Sequence, residues 1–357
     1  MLRGSELLIV GGITLITIAV ASLGYFKLNH KKKQHKKVED LVGNTPTVLL
    51  CEMKNGSKIY GKCEFLNLSG SSKDRFVLYA LKKMHSDQNS VVEASMGSTA
   101  ISLATISKLM GLNCKVFVPN ISIDKTNYLK GLGAELTVLK DTSFVDTNHF
   151  IKAAESSLSP DDIYLNQFEN ELNWMAHYFV TGPEIIKDLP EIDVFVMGLG
   201  TGASLRGIAK CLKEYNPKIK VIVADPQGSG LFNKFKYGVL FHDYEHEGKR
   251  HRHQKDTIVE GIGQTRLSKM VQELYEMKLV DDILLVTDEQ AYRNAKKLMQ
   301  LGLFLGPSSA VHYEVCNQIA IRYPGSNILT MLCDRGERYL STMWNPEYMS
   351  TRLSDVQ

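Results

Sequence analysis

Lys73 stands in the run Asn67-Leu68-Ser69-Gly70-Ser71-Ser72-Lys73-Asp74-Arg75, after an apolar β-branched segment and at the start of a helical one. The small hydroxyl residues before it can cap a helix and leave backbone N–H groups directed outward. A lysine at the ligand edge of a sheet is partly desolvated, which lowers its pKa; the neutral amine then forms a Schiff base or abstracts a proton. The competing reading is an ordinary solvated lysine in a helix first turn, and this segment alone leaves both open.

Two more turns carry residues suited to a phosphorylated ligand. In Gly198-Leu199-Gly200-Thr201-Gly202-Ala203-Ser204 the glycines let the backbone approach a phosphate, and the helix that follows supplies partial positive charge. Gly198, Gly200 and Ala203 also satisfy G-x-G-x-x-A, and Asp225 ends the next strand where a ribose-binding acid belongs, so a nicotinamide dinucleotide competes at this turn. In Gly306-Pro307-Ser308-Ser309-Ala310 the serines say no more than a helix N-cap.

These turns need a scaffold, and the chain's periodicity supplies one. Strand-like runs are Lys58–Glu64, Val91–Ser95, Lys115–Pro119, Glu135–Leu139, Asp193–Met197, Lys220–Ala224, Ile283–Val286 and Ile328–Leu332. Helical periodicity lies between them at Lys73–Met84, Thr99–Met110, Ser204–Tyr215, Asp288–Leu301 and Ala310–Arg322. The alternation predicts an α/β protein with mostly parallel sheets covered by helices on both faces, whose ligands bind beyond the carboxyl ends of the strands. The composition agrees: 357 residues, 44% apolar and 23% charged, exclude a disordered chain. Six cysteines without a C-x-x-C pair argue against a disulfide scaffold or zinc ribbon and fit a reducing compartment.

The net charge of +3 is unevenly distributed. Residues 1–37 hold seven basic side chains and one acidic, leaving −3 for the remainder, which gives no reason to invoke nucleic acid. Within that first part Leu7–Phe26 is 20 residues without a charge, long enough for one transmembrane helix, and Lys27, Lys31, Lys32, Lys33, Lys36 and Lys37 follow it. The basic flank predicts a signal anchor with the C-terminal bulk in the cytosol. Its moderate hydrophobicity suits the mitochondrial outer membrane, with the endoplasmic reticulum as the alternative; Ala19-Val20-Ala21 leaves a cleaved secretory signal as a competing reading. The polar stretch Tyr237–Asp256 holds His242, His246, His251 and His253 without the regular spacing of a metal site and reads as a solvated loop.

Taken together the motifs resemble the cysteine synthase and cystathionine β-synthase family, pyridoxal-phosphate enzymes of fold type II. Leu41-Val42-Gly43-Asn44-Thr45-Pro46 is similar to that family's I-G-N-T-P, and Asn67–Arg75 to N-P-x-G-S-x-K-D-R with Leu68 for the proline. Four more blocks follow in order: Gln167–Asn170 with Ala176-His177 and Thr181–Glu184; Gly200–Ser204; Val259–Gly263; and Asp334–Thr342. The likeness runs from about Val38 to Asn345, and with the basic-flanked apolar segment the chain looks most like fungal membrane-anchored mitochondrial members. It implies two lobes, each with a mostly parallel sheet flanked by helices, the smaller one at about 80–180 inserted in the larger, preceded by one transmembrane helix. It also implies a homodimer.

The resemblance further implies that Lys73 holds pyridoxal 5'-phosphate as an internal aldimine and that Gly200, Thr201, Gly202, Ala203 and Ser204 cradle its phosphate. Ser308 would hydrogen-bond the pyridine nitrogen; a neutral hydroxyl there makes the ring a weaker electron sink, which favours β-elimination. Asp225-Pro226 falls on the family's Glu-Pro, which removes most of the weight from the dinucleotide reading. One block departs. The family's T-S-G-N-T-G, which grips the substrate carboxylate, reads Ser95-Met96-Gly97-Ser98-Thr99-Ala100, so Met96 replaces a hydroxyl and Ser98 replaces an asparagine that contacts the cofactor's 3' oxygen. Backbone N–H groups of this loop with Gln167 are expected to hold the carboxylate instead. The implied activity is β-replacement: L-cysteine from O-acetyl-L-serine, or another activated serine, and sulfide, through an aminoacrylate. The alternatives are a cofactor-binding member without turnover that serves regulation or a partner, and a cystathionine β-synthase-type activity.

Overall fold

The computed structural model describes residues 37–85, 87–119, 121–139, 149–240, 257–264 and 266–353. The apolar segment Leu7–Phe26, its basic flank up to Lys36 and the histidines between 242 and 253 lie outside the described residues. Among the described residues no helix is long and apolar enough to cross a membrane.

From Glu39 onward the chain forms one compact unit built around two sheets. The larger sheet has the order β1-β2-β10-β7-β8-β9, with β1 at Thr47–Glu52, β2 at Lys58–Lys62, β7 at Val194–Met197, β8 at Lys220–Pro226, β9 at Asp282–Val286 and β10 at Asn327–Met331. The smaller has the order β5-β4-β3-β6, from β3 at Ser90–Ala94, β4 at Asn113–Val118, β5 at Glu135–Val138 and β6 at Asp162–Tyr164. All pairings are parallel except β1 with β2.

Each of the eight strand-like runs is a strand, with ends shifted by one or two residues. β7 shows why they are legible: all four of its residues are buried, Val194 and Val196 on one apolar layer and Phe195 and Met197 on the other. A parallel strand covered on both faces needs such a continuous apolar run. β3 divides in the same way, Val91 to one side and Val92 and Ala94 to the other. Two strands lack that signal. β1 is a half-exposed edge strand whose register shifts between Leu49 and Cys51, and β6 is three residues long.

A buried ionic cluster fixes the helix that begins at Lys73. Arg75 bonds Glu64 through Nε at 2.6 Å and Nη2 at 2.7 Å, and Glu184 at 2.9 and 2.7 Å. Thr45 donates to Glu64 at 2.6 Å, Asn44 N–H donates to Glu184 at 3.0 Å, and Gly43 N–H donates to Asn67 at 2.8 Å. Three of the sequence blocks therefore meet in one place. Burial raises the Glu64 carboxyl pKa, but the Arg75 charge and hydrogen bonds override it and hold the value at about 2.

Candidate active site

The carboxyl ends of both sheets open onto a cavity of about 340 Å³. Lys73, Ser98, Gly200, Thr201, Gly202, Ser204 and Ser308 line it, as do Ser95, Met96, Gly97, Thr99 and Gln167. Ala203, which the resemblance adds to the phosphate cradle, stands behind the lining, fully buried at the start of the helix Ala203–Tyr215.

Lys73 is placed by the end of β10. Ser72 N–H donates to the Cys333 carbonyl at 3.0 Å, and Ser71 forms a β-bridge with Asp334. Ser308 enters from the helix Pro307–Arg322, whose next residue, Ser309, accepts the Cys333 N–H at 3.0 Å. The two turns that carry Lys73 and Ser308 are thus pinned to the same two residues of one strand end.

The glycine turn between β7 and its helix is held from behind by two histidines. His312 Nε2 accepts the Gly198 N–H at 2.7 Å, and His312 Nδ1 faces the Met331 carbonyl at 2.9 Å. His177 Nε2 meets the Ser204 hydroxyl at 2.9 Å, and its Nδ1 meets Thr181 at 3.0 Å. Burial pushes both imidazoles below their ordinary range, His312 to about 4 and His177 to about 3. They are neutral hydrogen-bonding struts, so positive potential in the cradle comes from the helix terminus.

The turn fits a phosphate. A Cβ on Gly200 would stand 2.7 Å from the Gly261 carbonyl, and Gly202 has φ +86°. Gly263 N–H donates to Leu199 O at 2.8 Å, which lays the Val259–Gly263 segment against the cradle. Among the described residues the N–H groups of Gly200, Thr201, Gly202 and Ser204 have no protein acceptor. Such convergent donors at a helix N-terminus suit an anion.

In the loop Ser95–Ala100 the Ser98 and Thr99 hydroxyl protons are committed within the protein. Ser95 Oγ accepts from Gly97 N at 3.1 Å and Ala100 N at 3.2 Å. Thr99 donates to Gln167 Oε1 at 2.7 Å, while Gln167 Nε2 donates to the Ala94 carbonyl at 2.7 Å. Ser98 Oγ donates to Asp334 at 3.1 Å and accepts from Arg338 at 3.0 Å. The Gln167 amide nitrogen therefore faces the protein, and the N–H groups of Met96, Ser98 and Thr99, with the Ser95 O–H, are the loop's donors without a partner among the described residues. Met96 is 56% exposed. Gly97, at φ +136°, is required by close approach: a Cβ there would stand 2.6 Å from Lys125 Cδ, and the Lys125 ammonium is paired with Glu260.

One contributor gives no warning in the sequence. Glu93, fully buried, accepts Gln167 N–H at 3.1 Å and Ala94 N–H at 2.7 Å, and burial pushes its carboxyl up to about 8. His177 lies in a quoted block, but its role is visible only in its bond to Ser204. Asp225 is fully buried and accepts the Phe232 N–H at 2.9 Å inside its own turn. Burial pushes its carboxyl up to about 7. It does not line the cavity and cannot present a carboxylate to a ribose there.

A family model described as pyridoxal-phosphate dependent enzyme matches residues 38–334. "Cysteine synthase 2" of Schizosaccharomyces pombe is 38% identical, over 87% of this chain and 84% of that one. A Saccharomyces cerevisiae protein described as "Putative mitochondrial cysteine synthase" is 39% identical, over 91% and 89%. Among solved structures, an O-acetylserine dependent cystathionine β-synthase from Helicobacter pylori superposes with a TM-score of 0.72 at 28% identity, covering 86% of this chain and 98% of that one. Fold, cavity and relatives agree: the chain belongs to the pyridoxal-phosphate dependent enzymes, in the cysteine synthase and cystathionine β-synthase family of fold type II.

Proposed function

We propose that this chain forms L-cysteine from O-acetyl-L-serine, or another activated serine, and sulfide by β-replacement. The observation that carries this reading is the meeting of Lys73, the glycine cradle, Ser308 and the Ser95–Ala100 loop around one cavity. Pyridoxal phosphate, when bound, supplies electron withdrawal from the substrate Cα. Lys73 is the residue that would hold the cofactor covalently and move the Cα proton: it lines the cavity at the head of its helix, whereas the other lysine of the lining, Lys125, is paired with Glu260. The N–H groups of Gly200, Thr201, Gly202 and Ser204 would hold the phosphate, with Ala203 setting the first helical turn behind them. Ser308 would offer a neutral hydroxyl to the ring nitrogen. The substrate carboxylate would lie on the N–H groups of Met96, Ser98 and Thr99, with Gln167 orienting Thr99.

The test is the visible absorption of the full chain after loading with pyridoxal phosphate and gel filtration. A band that is retained, and lost in Lys73→Ala, supports the assignment; a parent protein that retains no cofactor sinks it.

Two other readings have specific support. Met96 in place of a hydroxyl favours a cofactor-binding member without turnover, which serves regulation or a partner protein. The activity named for the Helicobacter pylori protein favours a cystathionine β-synthase-type reaction. We further propose that residues 1–37 are a signal anchor with its transmembrane helix at 7–26, and that residues 38–357 are a catalytic domain with a smaller lobe at about 80–180. The mitochondrial description of the Saccharomyces cerevisiae relative supports a mitochondrial site, and the basic flank supports an outer-membrane anchor with the catalytic domain in the cytosol. The endoplasmic reticulum is the alternative membrane. Family likeness supports a homodimer.

A further inference from the structure

The altered position Ser98 is bonded to the opposite lobe. Its hydroxyl donates to Asp334 Oδ2 at 3.1 Å and accepts from Arg338 Nη1 at 3.0 Å; those two residues are 5% and 4% exposed. Both partners are themselves tied down. Tyr339 donates to Asp334 Oδ2 at 2.7 Å, and Arg338 Nη2 donates to the Ser69 carbonyl at 2.6 Å. Ser69 in turn donates through its N–H at 2.6 Å and its hydroxyl to Asp74, the residue after Lys73. Asp74 also accepts from Ser102 at 2.5 Å. Ser98 and Ser102 are one helical turn apart on the helix Ser98–Leu109, so they share a face. The bonds run from Ser98 through Arg338, Ser69 and Asp74 to Ser102 and so return to the same helix. They couple the start of that helix to the segment that carries Lys73.

We propose that Asp334 and Arg338 are positioning residues that fasten the substrate loop to the large lobe through the Ser98 hydroxyl, so that the loop stands in its binding geometry before a ligand arrives. The inference rests on the reading above that this loop takes the substrate carboxylate. A serine hydroxyl has one proton, and here it goes to Asp334, so it is not directed at the cofactor. Burying a carboxylate and a guanidinium is costly unless their hydrogen bonds are made, which gives the closed arrangement its hold on the loop. In this chain the loop is fastened by bonds within the protein, whereas the resemblance assigns the asparagine at this position to the cofactor's 3' oxygen.

The experiment is hydrogen–deuterium exchange of the full chain without cofactor, comparing the parent, Ser98→Ala and Ser98→Thr. Loss of a hydrogen bond to charged partners predicts at least about tenfold faster exchange over residues 95–103 in Ser98→Ala. Exchange over 198–204 should stay unchanged, and Ser98→Thr should return 95–103 to the parental rate. Adding pyridoxal phosphate to the parent should alter exchange over 95–103 by less than twofold. Parental rates in Ser98→Ala, or loop protection that appears only with the cofactor, would overturn the proposal. In the loaded enzyme Ser98→Ala should raise the KM for the amino-acid substrate about tenfold with kcat within twofold. An inactive parent with the predicted exchange pattern would remove the cysteine-forming reading and leave the fastening intact, because exchange needs no turnover.

Discussion

His312 Nε2 accepts the N–H of Gly198 at 2.7 Å, and the same ring faces the Met331 carbonyl through Nδ1 at 2.9 Å. One nitrogen must accept and the other donate, which specifies the neutral tautomer with the proton on Nδ1. The glycine turn is therefore held by a group that cannot be protonated without breaking the bond that positions it. Burial keeps the ring neutral down to about pH 4, against 6.5 for a free histidine.

Between pH 6.5 and 4 the unfolded chain binds a proton at this position that the native chain does not. Stability from this group is therefore lost as pH falls through that window, by about 1.2 kcal/mol between pH 6 and pH 5. His312→Gln, whose side-chain oxygen can still accept from Gly198, removes that dependence. The stability advantage of the parent over the variant should shrink by this amount on going from pH 6 to pH 5 in urea unfolding. An advantage that does not change with pH would show that the histidine is not neutral in the native state.

Gly200→Ala places a methyl 2.7 Å from the Gly261 carbonyl, a backbone atom that has little freedom to retreat. The cradle must open, and its N–H groups lose their common focus. Affinity for pyridoxal phosphate should fall at least tenfold in a spectrophotometric titration, with far-ultraviolet circular dichroism unchanged. Parental affinity would mean that the phosphate binds elsewhere.

Arg75→Gln leaves Glu64 and Glu184 without their guanidinium partner, and Glu64 is fully buried. Removing one member of a buried ion pair costs about 3–5 kcal/mol. The expected result is a large loss in unfolding free energy together with a weaker hold on cofactor, because the Lys73 helix starts two residues earlier. A change below 1 kcal/mol, on the scale of about 0–1 kcal/mol typical of surface pairs, would show that the cluster is solvated.

Met96→Ser returns a hydroxyl to the loop beside the carboxylate position. A hydrogen bond to a charged group contributes about 1.5–3 kcal/mol, so the KM for O-acetylserine should fall about tenfold or more in steady-state kinetics. An unchanged KM would place the carboxylate away from residue 96.

The strands β7, β8 and β10 are legible in sequence because parallel strands covered on both faces carry nearly continuous apolar runs. β1 is not, since its edge position leaves Leu49 and Glu52 exposed and the pattern broken. The turns of the site are legible for a different reason: positive φ and close backbone approach demand glycine at Gly97, Gly200 and Gly202 whatever surrounds them. The groups that hold those turns are not. His312 meets Gly198 across 114 residues, and Asp334 and Arg338 meet Ser98 across 236 and 240. No local pattern encodes such pairs, and a histidine or arginine in a helical run looks the same whether it faces solvent or a buried hydroxyl. Sequence likeness also assigns Ser98 to the cofactor, whereas its hydroxyl is bonded to Asp334 and Arg338.

We propose that cysteine forms in this cavity with Lys73 as its working amine. The direct measurement is cysteine formation by the full chain supplied with pyridoxal phosphate, O-acetylserine and sulfide, beside Lys73→Ala. Turnover in the parent and its loss by at least about a thousandfold in the variant is the predicted result, since a lysine that both holds the cofactor and moves the Cα proton cannot be replaced by solvent. Cofactor-loaded parent that forms no cysteine, or a Lys73→Ala variant that forms it at the parental rate, would contradict the account.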